Sequence, residues 1–173
     1  MLAYVFSHHP ADGVEPAGYE ESLRRFHAAL ASASPSGFMS STTFRIGDGY
    51  SDWYLVESSA ALDALNGSAV SGARAPVHDA AAKMAADGVG KLLSLASGEP
   101  SMGAGFEVRF AKPKGTSYVD LYARLQPWTS VTGVSVWRRM MVLGPPPEFC
   151  LVAPSEVELP AEMHPQLLAR VPI

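Results

Sequence analysis

GFMSSTTFRIGDGYSDWYLV, residues 37–56, lies over GVSVWRRMMVLGPPPEFCLV, residues 133–152, without a gap and at a constant offset of 96 (133 − 37). Gly37 meets Gly133, Ile46 meets Val142, Asp52 meets Glu148, Trp53 meets Phe149, and Leu55-Val56 meets Leu151-Val152. Both stretches read as β-hairpins. The first is rich in Thr, Phe, Ile and Tyr and turns at Gly47-Asp48-Gly49, whereas the second turns at Pro145-Pro146-Pro147. One supersecondary unit used twice is the expectation.

Working outward from the hairpins extends the pattern. Tyr4 to His8 reads as a strand closed by His9-Pro10, and Phe106 to Ala111 as a strand closed by Lys112-Pro113. Tyr19, Leu23, Phe26 and Leu30 recur at helical spacing, with Glu20/Arg24 and Glu21/Arg25 pairs on the opposite face. Val119, Tyr122 and Leu125 form the corresponding helix of the second half. After the first hairpin, a short helix with Leu62 and Leu65 is expected to stop at Asn66-Gly67. Another begins at Pro76, carrying Val77, Ala81 and Met84 and, beyond a break near Gly88, Leu92, Leu93 and Leu95. Leu159 to Ala169 reads as a last short helix with Pro160 in its first turn. Residues 99–104, short and rich in Gly, Ser and Pro, form the expected linker between a first unit, 1–98, and a second, 105–173.

Each unit thus reads strand, helix, strand, strand, helix, which is most of a ferredoxin-like α+β unit. Two such sheets packed face to face close an α+β barrel with helices outside. In this order of elements the chain resembles the dimeric α+β barrel superfamily, which includes antibiotic-biosynthesis-type monooxygenases, EthD-like and NIPSNAP-like proteins, and haem-degrading monooxygenases. Members usually build the barrel from two chains, and the resemblance implies that here it is fused into one. The resemblance covers nearly the whole chain in its order of elements and carries no diagnostic motif, so it bears on fold rather than function.

Composition narrows the function classes. Of 173 residues, 47% are apolar and 17% charged, a globular balance, and the net charge of −4 offers no basic face for nucleic acid. The N-terminal run is too short and lacks the basic start of a signal peptide, and no run is long enough to span a membrane, so a cytoplasmic location is expected. Cys150 is the only cysteine and sits in an apolar run, which suits a buried, inert thiol. The five histidines show no metal-ligand spacing. Gly88-Val89-Gly90-Lys91 lacks the rest of a phosphate-binding loop, and no nucleophile elbow occurs.

Aligning Pro10 with Pro113, an offset of 103 (113 − 10), turns Tyr4, Phe6 and His8 to the same face as Glu107, Arg109 and Ala111. That face is expected to look toward the other sheet and, with Trp53, Trp137 and Arg139, to line a cleft between the sheets for a flat, partly apolar ligand. The leading expectation is a small-molecule binder, or a cofactor-free oxygenase or isomerase. His8 would serve as general base and Arg109 would hold an anionic group. A solidly packed barrel that self-associates through Ala-rich helices and exposed strand edges, with a homo-oligomer as its product, is the alternative from a different class. His27 beside the first helix's apolar stripe reads as a core-edge residue. The resemblance adds a narrower possibility: haem-degrading members place an iron-ligating histidine on their second helix, and His78 is similar in element and orientation. The Trp and Asn that accompany it there find no clear match.

Overall fold

Leu2–Pro10 forms β1, Pro16–Ser32 α1, Phe38–Ile46 β2 and Gly49–Val56 β3 in a computed structural model that describes residues 1–173. Two helices follow, α2 (Ala60–Ala69) and α3 (Ala75–Ala82), and then β4 (Ala85–Gly98). The second half runs β5 (Gly105–Phe110), α4 (Tyr118–Thr129), β6 (Ser135–Arg139), β7 (Phe149–Ala153), a 3-10 turn at Ala161–Met163, and β8 (Gln166–Pro172). The eight strands close into one antiparallel barrel in the order β1-β3-β2-β8-β5-β7-β6-β4. The α+β class expected from the sequence is the class observed.

Local chemistry explains the elements. Pro16 occupies the first turn of α1, where its missing N–H costs nothing, and Tyr19, Leu23, Phe26 and Leu30 bury one face. Ser117 caps α4 by accepting a hydrogen bond from the Asp120 amide at 3.1 Å, and Leu121 and Leu125 bury the face that follows.

Two strands stand where helices were expected. Residues 85–98 are β4, and 166–172 are β8. Leu92 packs outward with Phe26, Leu30 and Leu65, while Leu93 packs inward with Trp53 and Trp137. Apolar residues on both faces erase the alternation that marks a strand. These two strands close the barrel, β4 joining β1 to β6 and β8 joining β2 to β5. Closure also removes the exposed strand edges expected for self-association. Helix α2 runs on through Asn66-Gly67, and β6 ends at Arg139, short of the longer strand expected.

Pleating corrects both alignments as well. Trp53 lies inside the barrel and Phe149 outside it, under α4, so the ungapped offset pairs residues on opposite faces. A slip of one residue in a strand turns every side chain to the other face in this way. β1 likewise continues through Pro10, whereas β5 stops at Phe110, so the two prolines are not equivalent.

Three cores result. Ala3, Val5, Phe44, Trp53, Leu55, Leu93, Trp137, Cys150 and Val152 fill the barrel interior. A second core lies between the outer face of the sheet and α1 and α2, and a third lies between the outer face of the second half and α4.

Candidate functional site

The helix-facing side of β1 carries Tyr4, Phe6 and His8, and the same side of β3 carries Asp52 and Tyr54, since Phe6 lies opposite Asp52 and Tyr4 opposite Tyr54. Above them α1, α2 and α3 leave a cleft of 660 Å³. Tyr4, Phe6, Leu23, Phe26, Tyr54, Leu62 and Leu65 make its walls largely apolar. Gly88 and Gly90 on the outer face of β4 make room for two of those rings: a Cβ at Gly88 would collide with Phe6 Cζ, and one at Gly90 would stand 2.7 Å from the Tyr4 hydroxyl. The Gly-x-Gly that fails as a phosphate loop is therefore a shelf for aromatic side chains.

A chain of buried polar groups forms the floor. Tyr19 Oη lies 2.5 Å from His8 Nδ1, and His8 Nε2 lies 3.3 Å from Asp52 Oδ1. His27 Nε2 approaches the same carboxylate oxygen at 3.4 Å, and His27 Nδ1 lies 2.6 Å from Ser41 Oγ. Both imidazole–carboxylate contacts are close but off the line of a full hydrogen bond. Thr43 donates to Asp52 Oδ1 at 2.5 Å and Tyr54 to Oδ2 at 3.0 Å. Burial by itself would raise the Asp52 pKa, but His27 and His8 outweigh it and hold the carboxyl well below the usual carboxylate range. Asp52 is a carboxylate in the folded protein. Burial, and then the charge of Asp52, push the Tyr19 phenol well above its ordinary value, so Tyr19 stays a neutral O–H. Tyr54 is pushed up in the same way.

Chemically, a carboxylate behind an imidazole behind a phenol is a proton path. With Asp52 favouring a proton on His8 Nε2, Nδ1 is left to accept from the Tyr19 hydroxyl. The tautomer follows from the partners on either side.

The structure splits the expected site residues into two groups. Tyr4, Phe6, His8 and His78 line the cleft beneath the helices. Glu107, Arg109, Trp53, Trp137 and Arg139 face the barrel interior: Trp53 packs edge-on against Trp137 at 5.5 Å, Arg109 bonds Glu107 at 2.6 Å, and Arg139 lies beside Leu93 on the inner face. The cleft thus lies between sheet and helices rather than between two sheets, and Arg109 is on the far side of the β-layer from His8. His78 on α3 contacts Asp79 Oδ1 at 3.1 Å through Nδ1 and packs edge-on against Phe26 at 5.5 Å. No group of three or more His, Cys, Asp or Glu side chains converges as a metal site. Cys150 is buried in the barrel interior, where burial and then Glu107 push its thiol well above the ordinary value.

Sequence reasoning does not place Asp52, Tyr19 or Tyr54 in the site, and it reads His27, which stands 3.4 Å from Asp52, as a core-edge residue. The available signal is Asp52 itself, a carboxylate inside β3, every residue of which is buried.

Fold and site together define a closed eight-stranded α+β barrel with a cleft on its outer face. No protein-family model matches the chain, and no curated protein matches it in sequence. Its structure is similar to the crystal structure of a "putative monooxygenase" from Lactobacillus acidophilus NCFM, with a TM-score of 0.55 over 99% of this chain and 93% of that one. The two are 9% identical in sequence, and the likeness is one of fold. No helix is long and apolar enough to cross a membrane.

Proposed function

We propose that the chain binds a small aromatic molecule in the cleft beneath α1–α3 and removes a weakly acidic proton from it. One observation carries this reading: the Tyr19–His8–Asp52 chain forms the floor of a 660 Å³ cleft whose walls are mostly apolar. The charged groups at the cleft wall are Asp52 and Asp87, joined by His8 and His78, with no Lys or Arg. That lining favours a neutral ligand bearing a hydroxyl over an anionic one.

In the proton step, the ligand's O–H or activated C–H is placed against Tyr19 Oη. Its proton passes to the phenol oxygen as the phenol proton moves to His8 Nδ1, and Asp52 stabilises the imidazolium that forms. The resulting phenolate or enolate is the product of a deprotonation. It is also the form from which an isomerisation or a cofactor-free oxygenation proceeds.

The test uses substituted naphthols as probes, with binding read by calorimetry and proton removal by solvent-deuterium exchange followed by NMR. Leu65→Trp is expected to fill the cleft and abolish binding. Tyr19→Phe and His8→Asn are expected to retain binding within a few-fold and lose exchange by about 10²-fold or more. Undiminished binding in Leu65→Trp would remove the cleft from the argument. Unchanged exchange in His8→Asn would remove the base.

Haem is the less favoured occupant. His78 lines the cleft and its neighbour Asp79 orients it, but the lining has no cation for propionates, and Trp53 is inside the barrel. A haemin titration is expected to give no Soret shift that depends on His78, and a shift lost in His78→Ala would reverse that preference.

A further inference from the structure

The barrel interior carries positive charge that its own residues leave unbalanced. Lys91 lies opposite Val5, Arg139 opposite Leu93, and Arg109 and Arg170 project inward from β5 and β8. The one inward carboxylate near them is Glu107, which uses Oε1 on Arg109 Nε and has no partner at Oε2. Lys91 and Arg139 are tied to the 140–148 loop at the barrel mouth through the carbonyls of Pro147, at 3.3 Å, and Gly144, at 2.7 Å. Those carbonyls orient the two side chains without cancelling their charge.

Arg170 is the group that demands an explanation. It is 1% exposed, and none of its three guanidinium nitrogens has a hydrogen-bond partner. Its plane rests over the Phe44 ring at 3.6 Å and lies 4.9 Å from Trp53. Stacking satisfies the face of a guanidinium but not its edge, where all five N–H donors lie. Trp53 Nε1 and Ser51 Oγ, which share the inner face of β3, are also buried and unpartnered. Buried polar groups in folded proteins almost always find partners, and an unpaired buried charge is the most costly exception. Burial lowers the Arg170 pKa while Glu107 and Cys150 oppose that shift, which fits a cation held in a dry setting.

We infer that the barrel interior is an anion-binding chamber, in which the edge of Arg170 grips a small, singly charged oxyanion beside the Trp53 indole N–H and the Ser51 hydroxyl. A planar fork of N–H donors suits a carboxylate or another flat oxyanion. Glu107 limits the charge, because its free oxygen repels a second negative charge. The edge-on Trp53–Trp137 pair limits the size. Lys91, Arg109 and Arg139 at the mouth attract the anion inward. This chamber and the cleft bearing His8 lie on opposite faces of the sheet, so the two sites stand or fall separately.

Calorimetric titration of the whole protein, dialysed into a buffer with only bulky anions and held at constant ionic strength, tests the inference with formate, acetate, nitrate and chloride. Saturable one-to-one binding is expected. Arg170→Met is expected to weaken it by at least about tenfold, and Trp53→Phe, which keeps the charge and removes the N–H, by several-fold. Leu65→Trp, which fills the other cleft, is expected to leave the titration unchanged. Tighter binding of formate or acetate identifies the natural occupant as the carboxylate of a small metabolite, tighter nitrate identifies a free inorganic oxyanion, and chloride binding tighter than all three would overturn the oxyanion assignment. If Arg170→Met does not fold, Arg170→Lys and Trp53→Phe carry the test, each with weakened binding expected. No saturable binding, or binding equally strong in the Arg170 and Trp53 variants, would overturn the inference. So would a crystal grown in formate that shows only water at the Arg170 edge.

Discussion

Phe6 lies opposite Asp52 across β1 and β3 on the helix-facing side of the first half, while Val108 lies opposite Leu151 across β5 and β7 on the helix-facing side of the second. Around Asp52 the neighbours are His8, Tyr19, His27, Thr43 and Tyr54, and the space above opens into the cleft. Around Leu151 they are Phe110, Leu121, Leu125, Val136 and Phe149, with Met163 filling the remaining space. The sheet orders match, β4-β1-β3-β2 in one half and β8-β5-β7-β6 in the other. A helix packed on a sheet therefore does not itself make a site. The second half secures its helix with apolar contact, and the first replaces some of that contact with a polar chain and a void, which are useful only if something binds there.

The largest expected effect comes from the centre of the polar side. Asp52→Ala leaves the Thr43 and Tyr54 hydroxyls without their acceptor and two imidazoles without the carboxylate they face, and a loss of about 3–5 kcal/mol in urea-denaturation stability is expected. A loss below about 1 kcal/mol would mean that the network is not cohesive, and the contrast between the halves would collapse to one of cavity volume. On the apolar side, Leu121→Ala at a 0% exposed position is expected to cost about 2–5 kcal/mol. Its naphthol binding is expected to match that of the unaltered protein under folded conditions. A binding defect there would show that the second half also shapes the site.

Acid sharpens the comparison further, because only the polar side titrates. The folded-state pKa of Asp52 lies below its unfolded value of about 3.9, so its contribution is complete above that value and disappears as pH falls toward the folded pKa. The stability difference between the unaltered protein and Asp52→Asn should be level from pH 7 to about pH 5. Below about pH 4 it should shrink by up to about 1.4 kcal/mol per pH unit. A difference equal at pH 3 and pH 7 would show that Asp52 is already protonated in the folded state.

How much of this contrast could be read from the chain depends on which interactions are local. The hairpins, α1 and α4 announce themselves through alternation, helical spacing and turn residues, all set within a few positions. β4 does not, because Leu92 serves the outer core and Leu93 the inner one, and because Gly88 and Gly90 resemble helix breaks until Phe6 and Tyr4 are seen lying over them. β8 follows Pro160, which suits the start of a helix, and on its inward face it carries Arg170, a residue that ordinarily signals solvent. The site was hidden for a related reason. Asp52 matched Glu148 in the ungapped repeat and so looked like a repeated polar position; within its own hairpin it meets only Thr43 and Tyr54, whereas His8 reaches it by the pairing of β1 with β3, and His27, with Tyr19 behind His8, by the docking of α1.

The smallest expected effect concerns how the open side stays covered. Arg74, in the 3-10 turn Gly72–Arg74 between α2 and α3, donates from Nε to Ala29 O at 3.2 Å and from Nη2 to Ala33 O. Its Nη1 donates to Ser68 O at 3.3 Å and to Ser68 Oγ at 2.6 Å. One guanidinium thus ties the last turn of α1 to the end of α2 at the head of α3. The second half has no counterpart to α2 and α3 and needs no such tie, since α4 is held by its own buried leucines. Arg74→Ala is expected to lower global stability by about 1 kcal/mol while speeding hydrogen exchange in residues 60–82 several-fold more than in α4. Naphthol release is expected to quicken in parallel. Equal protection of both segments in this variant would mean that α2 and α3 are held by the sheet rather than by Arg74, and that the cleft keeps its cover without the tie.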